Sequence, residues 1–413
     1  MNPSMCGPIR TTADLTDFVD ESLKSFGSPS EHVLVIIPDD TRTIPMPELY
    51  GVICGRLASR VRKLTFLIAL GTHPPMTAAQ LDLHLGAGWR RPDVTVSQHD
   101  WKDPSGLIRL GSIPASELED LSGGLLSETV PVTINRLAVE VDRILIVNPV
   151  FPHEVVGFSG GHKYFFPGVS GTEVLNSTHW LGALITNPVV NGRKNTPVRS
   201  LIERAAALVP TPRQGLSLVM KGHDPVGAYF GDVDDAWSAA ADLSAGTNIV
   251  WRDASYHTVL SMAPPMYREL WTAGKCMYKL EPVVADGGKL IIFAPHLHEI
   301  SPTHGHLIRQ VGYHTRDFFL KQWDRYSGIP RAVLAHSTHV KGVGTFEDGV
   351  ERPRVEVVLA TGIPEKLCHE INLGYQDPVS LHPSEFENSE EDGILVVPSA
   401  GEMLYRLRSG SGA

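Results

Sequence analysis

Two histidines bracket a lysine in the stretch His153–His179, which reads HEVVGFSGGHKYFFPGVSGTEVLNSTH. Lys163 stands just beyond Gly160, Gly161 and His162. A lysine beyond so small a turn can anchor a ligand by charge or by a covalent bond. The glycines would let the backbone approach a bulky group closely, and their N–H groups could form a nest for a phosphate. The run matches neither GxxxxGK[ST] nor GxGxxG, so a standard nucleotide fingerprint is absent. The plainer alternative is a glycine-rich connection with incidental histidines.

Two earlier segments carry further chemistry. Pro38-Asp39-Asp40-Thr41-Arg42 sets a carboxylate, a hydroxyl and a guanidinium at one chain position. Arg42 could hold a carboxylate through two hydrogen bonds, or Asp and Thr could simply cap the next helix. In Gly71-Thr72-His73-Pro74-Pro75 the two prolines stiffen the loop. His73 could then project as an acid or base, or serve as a structural histidine. Lys275 reads by itself as a solvated lysine. The run His296–His306 lacks HExxH spacing and contains Pro302 and Gly305, so it reads as a loop rather than a metal-binding helix.

The elements that would position these residues follow from periodicity. Strands are predicted at His32–Ile37, Leu64–Leu70, Ile144–Val147 and Leu216–Met220, and helices at Met46–Ala58 and Thr77–Leu85. Such alternation implies an α/β fold of βαβ units around mostly parallel sheets. Ligand crevices in these folds lie at the carboxyl ends of the strands, where the three loops above would sit. A second α/β set begins near Trp251: strands at Thr258–Met262, Lys289–Phe293, Ala332–His336 and Val355–Ala360, with a helix over Met266–Val284. Gly393–Val397 and Glu402–Leu407 read as a last strand and helix. The expected division is an N-terminal domain over residues 1–252, a C-terminal domain over 253–397, and a return of 398–413 to the first.

Composition narrows the function classes. A chain of 413 residues exceeds the roughly 250–300 residues at which single cores stop growing. A net charge of −10 argues against nucleic-acid binding. Four cysteines (Cys6, Cys54, Cys276 and Cys368) without CxxC spacing fit a reducing compartment. With no apolar run of membrane length and no signal-peptide pattern at the start, a cytoplasmic protein without membrane association is expected. Self-association into a homo-oligomer is compatible with the sequence.

Together DDTR at 39–42, GTHPP at 71–75, HEVVGFSGGHK with the later His179, Lys275 with Glu281-Pro282-Val283-Val284, and Asp286-Gly287-Gly288 resemble the nickel-pincer lactate racemase family of 2-hydroxyacid racemases and epimerases. The pieces occur in family order across most of the chain. The resemblance implies two α/β domains with the active site in the interdomain cleft. It also implies a cofactor, a pyridinium mononucleotide with a thioamide and a thiocarboxylate holding Ni(II), linked covalently at Lys163. On the same resemblance His179 is the nickel ligand, and His73 and His153 are the two acid/bases. Arg42, Lys275, Trp271 and Thr272 bind substrate, while Asp39, Thr41, Gly160 and Gly161 support the cofactor and its loops. The implied partners are a small 2-hydroxyacid and cofactor-maturation proteins, without which Lys163 would remain free.

Departures from the lactate-type pattern concern substrate. His162 stands where arginine is common, Pro74 where arginine often follows the loop histidine, and Trp271-Thr272 where Tyr-Gln is usual. His162 would make the charge beside Lys163 pH-dependent, and Phe165 and Phe166 would add aromatic bulk near it. These changes bear on the substrate and leave the reaction intact; with no extra arginine at these positions for a second carboxylate, a monocarboxylate with a short aliphatic or modest side chain is expected. Three rival readings remain: a zinc hydrolase with His73, His153 and His179 as ligands, a pyridoxal-phosphate racemase with Lys163 as Schiff base, and a non-catalytic binder of hydroxy acids or sugar acids.

Overall fold

Seven consecutive buried residues, His32–Pro38, form a strand covered on both faces, which is what an unbroken β-branched run in a parallel sheet requires. The computed structural model describes residues 9–408 and the backbone of Ser4–Met5; Cys6 and residues 409–413 lie outside the described residues. The first sheet contains β1 (Ser4–Met5), β2 (His32–Pro38), β3 (Lys63–Ala69), β4 (Val94–Gln98), β5 (Arg143–Pro149), β6 (Arg213–Lys221) and β7 (Asp224–Gly231). Their order is β1-β7-β6-β5-β2-β3-β4, with β2 to β6 parallel and β7 and β1 antiparallel at one edge.

Strand order reverses between β2 and β5. Chain progression runs outward through β3 and β4 on one side and through β6 on the other, making a topological switch point. Pro38 pairs with Ala69, so the loops after β2 and β3 leave the sheet at the same level. Helix α1 (Thr12–Ser22) starts in a capping box between Thr11 and Asp14. Helix α2 (Met46–Leu57) buries Met46, Leu49, Tyr50, Ile53, Cys54 and Leu57, the stripe of an amphipathic helix. That stripe packs with Val33, Val35, Ile37, Phe66 and Ile68 in one core cluster. Burying each such side chain stabilises the unit by about 1.5–3 kcal/mol. Helix α3 (Ala78–Leu85) begins in a capping box between Thr77 and Gln80.

The second sheet is wholly parallel, in the order β11-β10-β9-β8-β12, with β8 (Tyr256–Met262), β9 (Val284–Ala294), β10 (Glu356–Thr361), β11 (Gly374–Tyr375) and β12 (Ile394–Val397). Three expectations for this region are corrected. Residues 332–336 belong to a helix, Arg331–Lys341, whose residues from Ala332 onward are all buried; short apolar runs cannot separate a buried strand from a buried helix. The helix expected over Met266–Val284 is broken into turns at Leu270–Ala273, Lys275–Tyr278 and Glu281–Val283, after which Val284 already starts β9. The expected C-terminal helix is a strand, Leu404–Leu407, paired in parallel with Ile249–Arg252.

The chain forms two compact units. One holds residues 1–151, 158–175 and 199–247; the other holds 152–157, 176–198 and 248–413. Instead of crossing once near residue 252, the chain passes between units repeatedly. The segment 398–408 stays with the second unit, where Leu404–Leu407 finds its strand partner. Each fold is α/β with a mostly parallel sheet. No helix among the described residues is long and apolar enough to cross a membrane.

Candidate active site

In the first unit, β2 delivers Asp39 into a buried position. Its carboxylate accepts hydrogen bonds from Thr41 N at 3.2 Å and Thr41 Oγ1 at 2.6 Å, and lies 2.5 Å from His73 Nδ1. Burial alone would raise its pKa; the His73 ring, then Arg42 and the Thr41 hydroxyl, overrule burial and hold it well below the usual carboxylate range. An ionised Asp39 accepts only, so the His73 proton sits on Nδ1 and Nε2 is the basic nitrogen. The capping alternative for DDTR does not hold, because α2 starts seven residues after Asp39 with Pro45 as its cap. Arg42 Nη1 donates to Thr41 O at 3.3 Å, and the guanidinium lies 5.6 Å from the Phe151 ring centroid at the switch point.

Two supports of this loop carry no motif. His84 on α3 lies 2.9 Å from the Pro38 carbonyl through Nε2, and burial lowers its pKa, so it stays a neutral donor. Gln80 Nε2 donates to Asp40 Oδ2 at 3.0 Å. The His73 loop is fixed by His73 N to Leu70 O at 2.8 Å and by Gly71 N to Gly168 O at 2.9 Å. Gly168 follows the Lys163 turn, which ties that segment to the second loop. Tyr164 completes the gathering: burial raises its pKa, Arg42 opposes and Asp39 adds, so its hydroxyl lies within electrostatic reach of both.

Lys163 sits on a 3-10 turn, Gly161–Tyr164, with its side chain partly accessible. The turn is held from within. Arg199, buried, donates to the carbonyls of Phe158 at 2.5 Å and Gly160 at 3.2 Å, and lies 4.0 Å over the Trp237 ring. Trp237 Nε1 donates to Ser159 O at 2.8 Å. The glycines have an internal reason to be small. A Cβ on Gly160 (φ 83°) would come 2.4 Å from Asn148 Oδ1, and one on Gly161 (φ 60°) would come 3.0 Å from the Trp237 ring. Gly161 N is itself committed to Asn148 Oδ1 at 3.2 Å, which leaves one donor fewer for a phosphate nest. Phe165 and Phe166 are fully buried, so their bulk serves the core rather than a ligand.

His162, Glu203 and Asp234 are the set of three metal-type ligands that converges among the described residues. Arg213 Nε donates to His162 Nε2 at 2.9 Å, and Arg199 Nη1 lies 3.3 Å from Glu203. These guanidiniums hold the set from outside, at His162 Nε2 and Glu203 Oε1, while His162 Nδ1 faces the Glu203 and Asp234 carboxylates. Burial disfavours a charged ring, while Asp234 and then Glu203 outweigh it and raise the His162 pKa. Arg213 opposes the second proton, since a donor at Nε2 requires a lone pair there. His162 is buried, Glu203 half-buried and Asp234 exposed, so the set is a partly solvated ion network beside Lys163.

The second unit holds His153, His179, Trp271, Thr272 and Lys275. His153 is buried, with Val155 N donating to its Nδ1 at 3.2 Å. His179 lies on the helix Thr172–Ile185. Lys275 is buried, with Nζ 4.7 Å over the Tyr267 ring. The Trp271 indole stacks on His336, with ring centroids 3.8 Å apart, and meets a tilted His304 ring at 4.4 Å. Burial, helped by His339, His304 and His179, holds His336 far below its usual pKa and therefore neutral. His304 belongs to the run His296–His306 read from sequence as a loop, whereas His336 carried no signal of its own.

Residues 14–190 match the family described as Lactate racemase N-terminal domain. The lactate racemase of Thermoanaerobacterium thermosaccharolyticum is 24% identical over 279 residues, 66% of this chain and 62% of that protein. That of Lactiplantibacillus plantarum is 23% identical over 280 residues, again 66% and 62%. Each match therefore spans less than two thirds of the relative's length. Among solved structures, a Thermotoga maritima protein superposes with a TM-score of 0.90 at 30% identity, covering 96% of this chain and 98% of that one. The lactate racemase apoprotein from Thermoanaerobacterium thermosaccharolyticum gives 0.72 at 18% identity, over 97% and 94%, a likeness of fold.

Proposed function

The chain belongs to the lactate racemase family, and from that membership we propose that it is an isomerase inverting the C2 centre of a 2-hydroxycarboxylic acid. The observation that carries this reading is the Asp39–His73 pair beside Arg42, at the carboxyl ends of adjacent parallel strands. The C2 hydrogen of a 2-hydroxycarboxylate is a poor acid, because its loss as a proton would build a second negative charge beside the carboxylate. Its departure with its electron pair, while a base takes the hydroxyl proton, avoids that charge and gives a planar 2-keto acid. Return to the opposite face inverts the centre, so two acid/bases are needed.

His73 is one of them: its Nδ1–H donates to Asp39, which leaves Nε2 to receive the hydroxyl proton. His153 is the other. Arg42, Lys275, Trp271 and Thr272 bind the substrate, with Arg42 taking its carboxylate. The chemistry of the donor set fits a nickel-pincer nucleotide: one amine on a rigid turn for the covalent link at Lys163, and one helical imidazole, His179, for a soft metal. When bound, that group supplies the acceptor for the C2 hydrogen and its electrons. Asp39, Thr41, Gly160 and Gly161 hold the loops around it, and maturation proteins would be the partners that install it.

The test is to co-produce the chain with cofactor-making enzymes and screen it against enantiopure 2-hydroxyacids deuterated at C2. Conversion of either enantiomer to a mixture is expected. A nickel-loaded protein that inverts none of them overturns the reading, and a borohydride-reducible Schiff base at Lys163 would point to pyridoxal phosphate instead.

A further inference from the structure

Glu281 opens the motif Glu281-Pro282-Val283-Val284, and the proposed function leaves it without a task. It is a fully buried carboxyl in the second unit. Oε1 accepts from Val343 N at 2.7 Å, and Oε2 accepts from Asn187 Nδ2 at 3.1 Å. A Cβ on Gly342 would come 2.8 Å from Oε1, so the chain before Val343 is shaped around the carboxyl. Asn187 Nδ2 also donates to Tyr278 O at 2.8 Å, and Asn191 Nδ2 donates to Asn187 Oδ1 at 3.0 Å, which fixes the way the Asn187 amide faces. Glutamine cannot stand in for Glu281: its one amide oxygen serves one donor, and its NH2 then faces the other.

The residue before Asn187 is strained. Thr186 has φ 86° and ψ 146°. That region is close to glycine's own, and a β-branched residue there is an outlier that persists only where its surroundings over-determine it. Thr186 is the break between the helix Thr172–Ile185, which carries His179, and the turn Asn187–Val190. On the helix side, Arg316 Nη1 donates to Leu184 O at 2.8 Å. On the other side, Asn187 is bound to Tyr278 and Glu281, which lie on or just past the turn Lys275–Tyr278.

We propose that Glu281 is a positioning residue: through Asn187 it holds Thr186 in its strained break, and so fixes the end of the His179 helix against the turn that carries Lys275. The catalytic consequence rests on the function proposed above; the clamp does not.

The test is a double-mutant cycle on the full chain without cofactor, read by hydrogen-exchange mass spectrometry. Glu281→Gln should speed exchange at residues 184–191 about tenfold or more, since it leaves a buried donor unsatisfied. Thr186→Gly relieves the strain, and in that background the same substitution should speed exchange at most about threefold. Equal acceleration in both backgrounds, or none in either, overturns the clamp. If Glu281→Gln does not fold, Asn187→Ser completes the cycle at the other end of the bond, with the same two outcomes. In cofactor-loaded protein Glu281→Gln should lower kcat/KM about tenfold or more, and adding Thr186→Gly should restore part of it. If loaded wild type inverts no 2-hydroxyacid yet the exchange cycle shows the coupling, the proposed function falls and the clamp stands. If loaded wild type is active and Glu281→Gln keeps full activity, the positioning role falls.

Discussion

Asp39 works at the scale of a single residue, and its charge can be tested apart from turnover. Its pKa is depressed in the native protein, so its contribution to stability is fully present above the ordinary value of about 4 and is lost only as pH falls below that toward the native value. Asp39→Asn should therefore flatten the acid limb: urea titrations compared near pH 6 and pH 3 should show a smaller loss of stability than in wild type. Lys163→Ala should abolish covalent cofactor loading, read as the absence of added mass in the intact protein; the same mass gain in both proteins would remove Lys163 as the attachment point. At this scale the sequence was informative where a motif set residues close together. DDTR and GTHPP read correctly as strand-end loops because strand and loop are local properties.

At the scale of elements, the Lys163 turn depends on a cage contributed from far along the chain. Arg199→Met removes the donors to the Phe158 and Gly160 carbonyls and leaves both in a buried setting. A loss of about 2–4 kcal/mol in urea unfolding is expected, since each unsatisfied buried group costs roughly 1–3 kcal/mol. Gly160→Ala faces a backbone at φ 83° and a contact of 2.4 Å with Asn148 Oδ1, so it should destabilise even though alanine adds a single methyl. Thermal denaturation checks it; an unchanged midpoint would return the glycine to a ligand-facing role. Secondary structure was readable for βαβ units, where buried runs and capping residues agree. It misled at residues 332–336 and at the C-terminus, where short apolar runs fit either helix or strand until a partner is known. Leu404–Leu407 is a strand because Ile249–Arg252 lies beside it, a pairing separated by about 150 residues of sequence and silent in local pattern.

For the whole molecule, the α/β class with mostly parallel sheets was legible in the sequence but the route of the chain was not. A fragment ending at residue 252 lacks the strand that pairs with Ile249–Arg252, and carries 152–157 and 176–198 without the rest of the unit to which they belong. It should show a broad, weakly cooperative unfolding transition by circular dichroism, in contrast to the full chain; a sharp transition would mean the first unit folds without those pieces. The interleaved route also bears on how such proteins diversify. A single recombination breakpoint cannot exchange one unit between relatives, because the histidine-bearing segments of the second unit are spelled out inside the span that encodes the first. Changes that alter one set of site residues must arrive as point substitutions, or as a cassette spanning 152–198 that carries the lysine and both histidines together. Heredity thus treats as one block what folding divides in two.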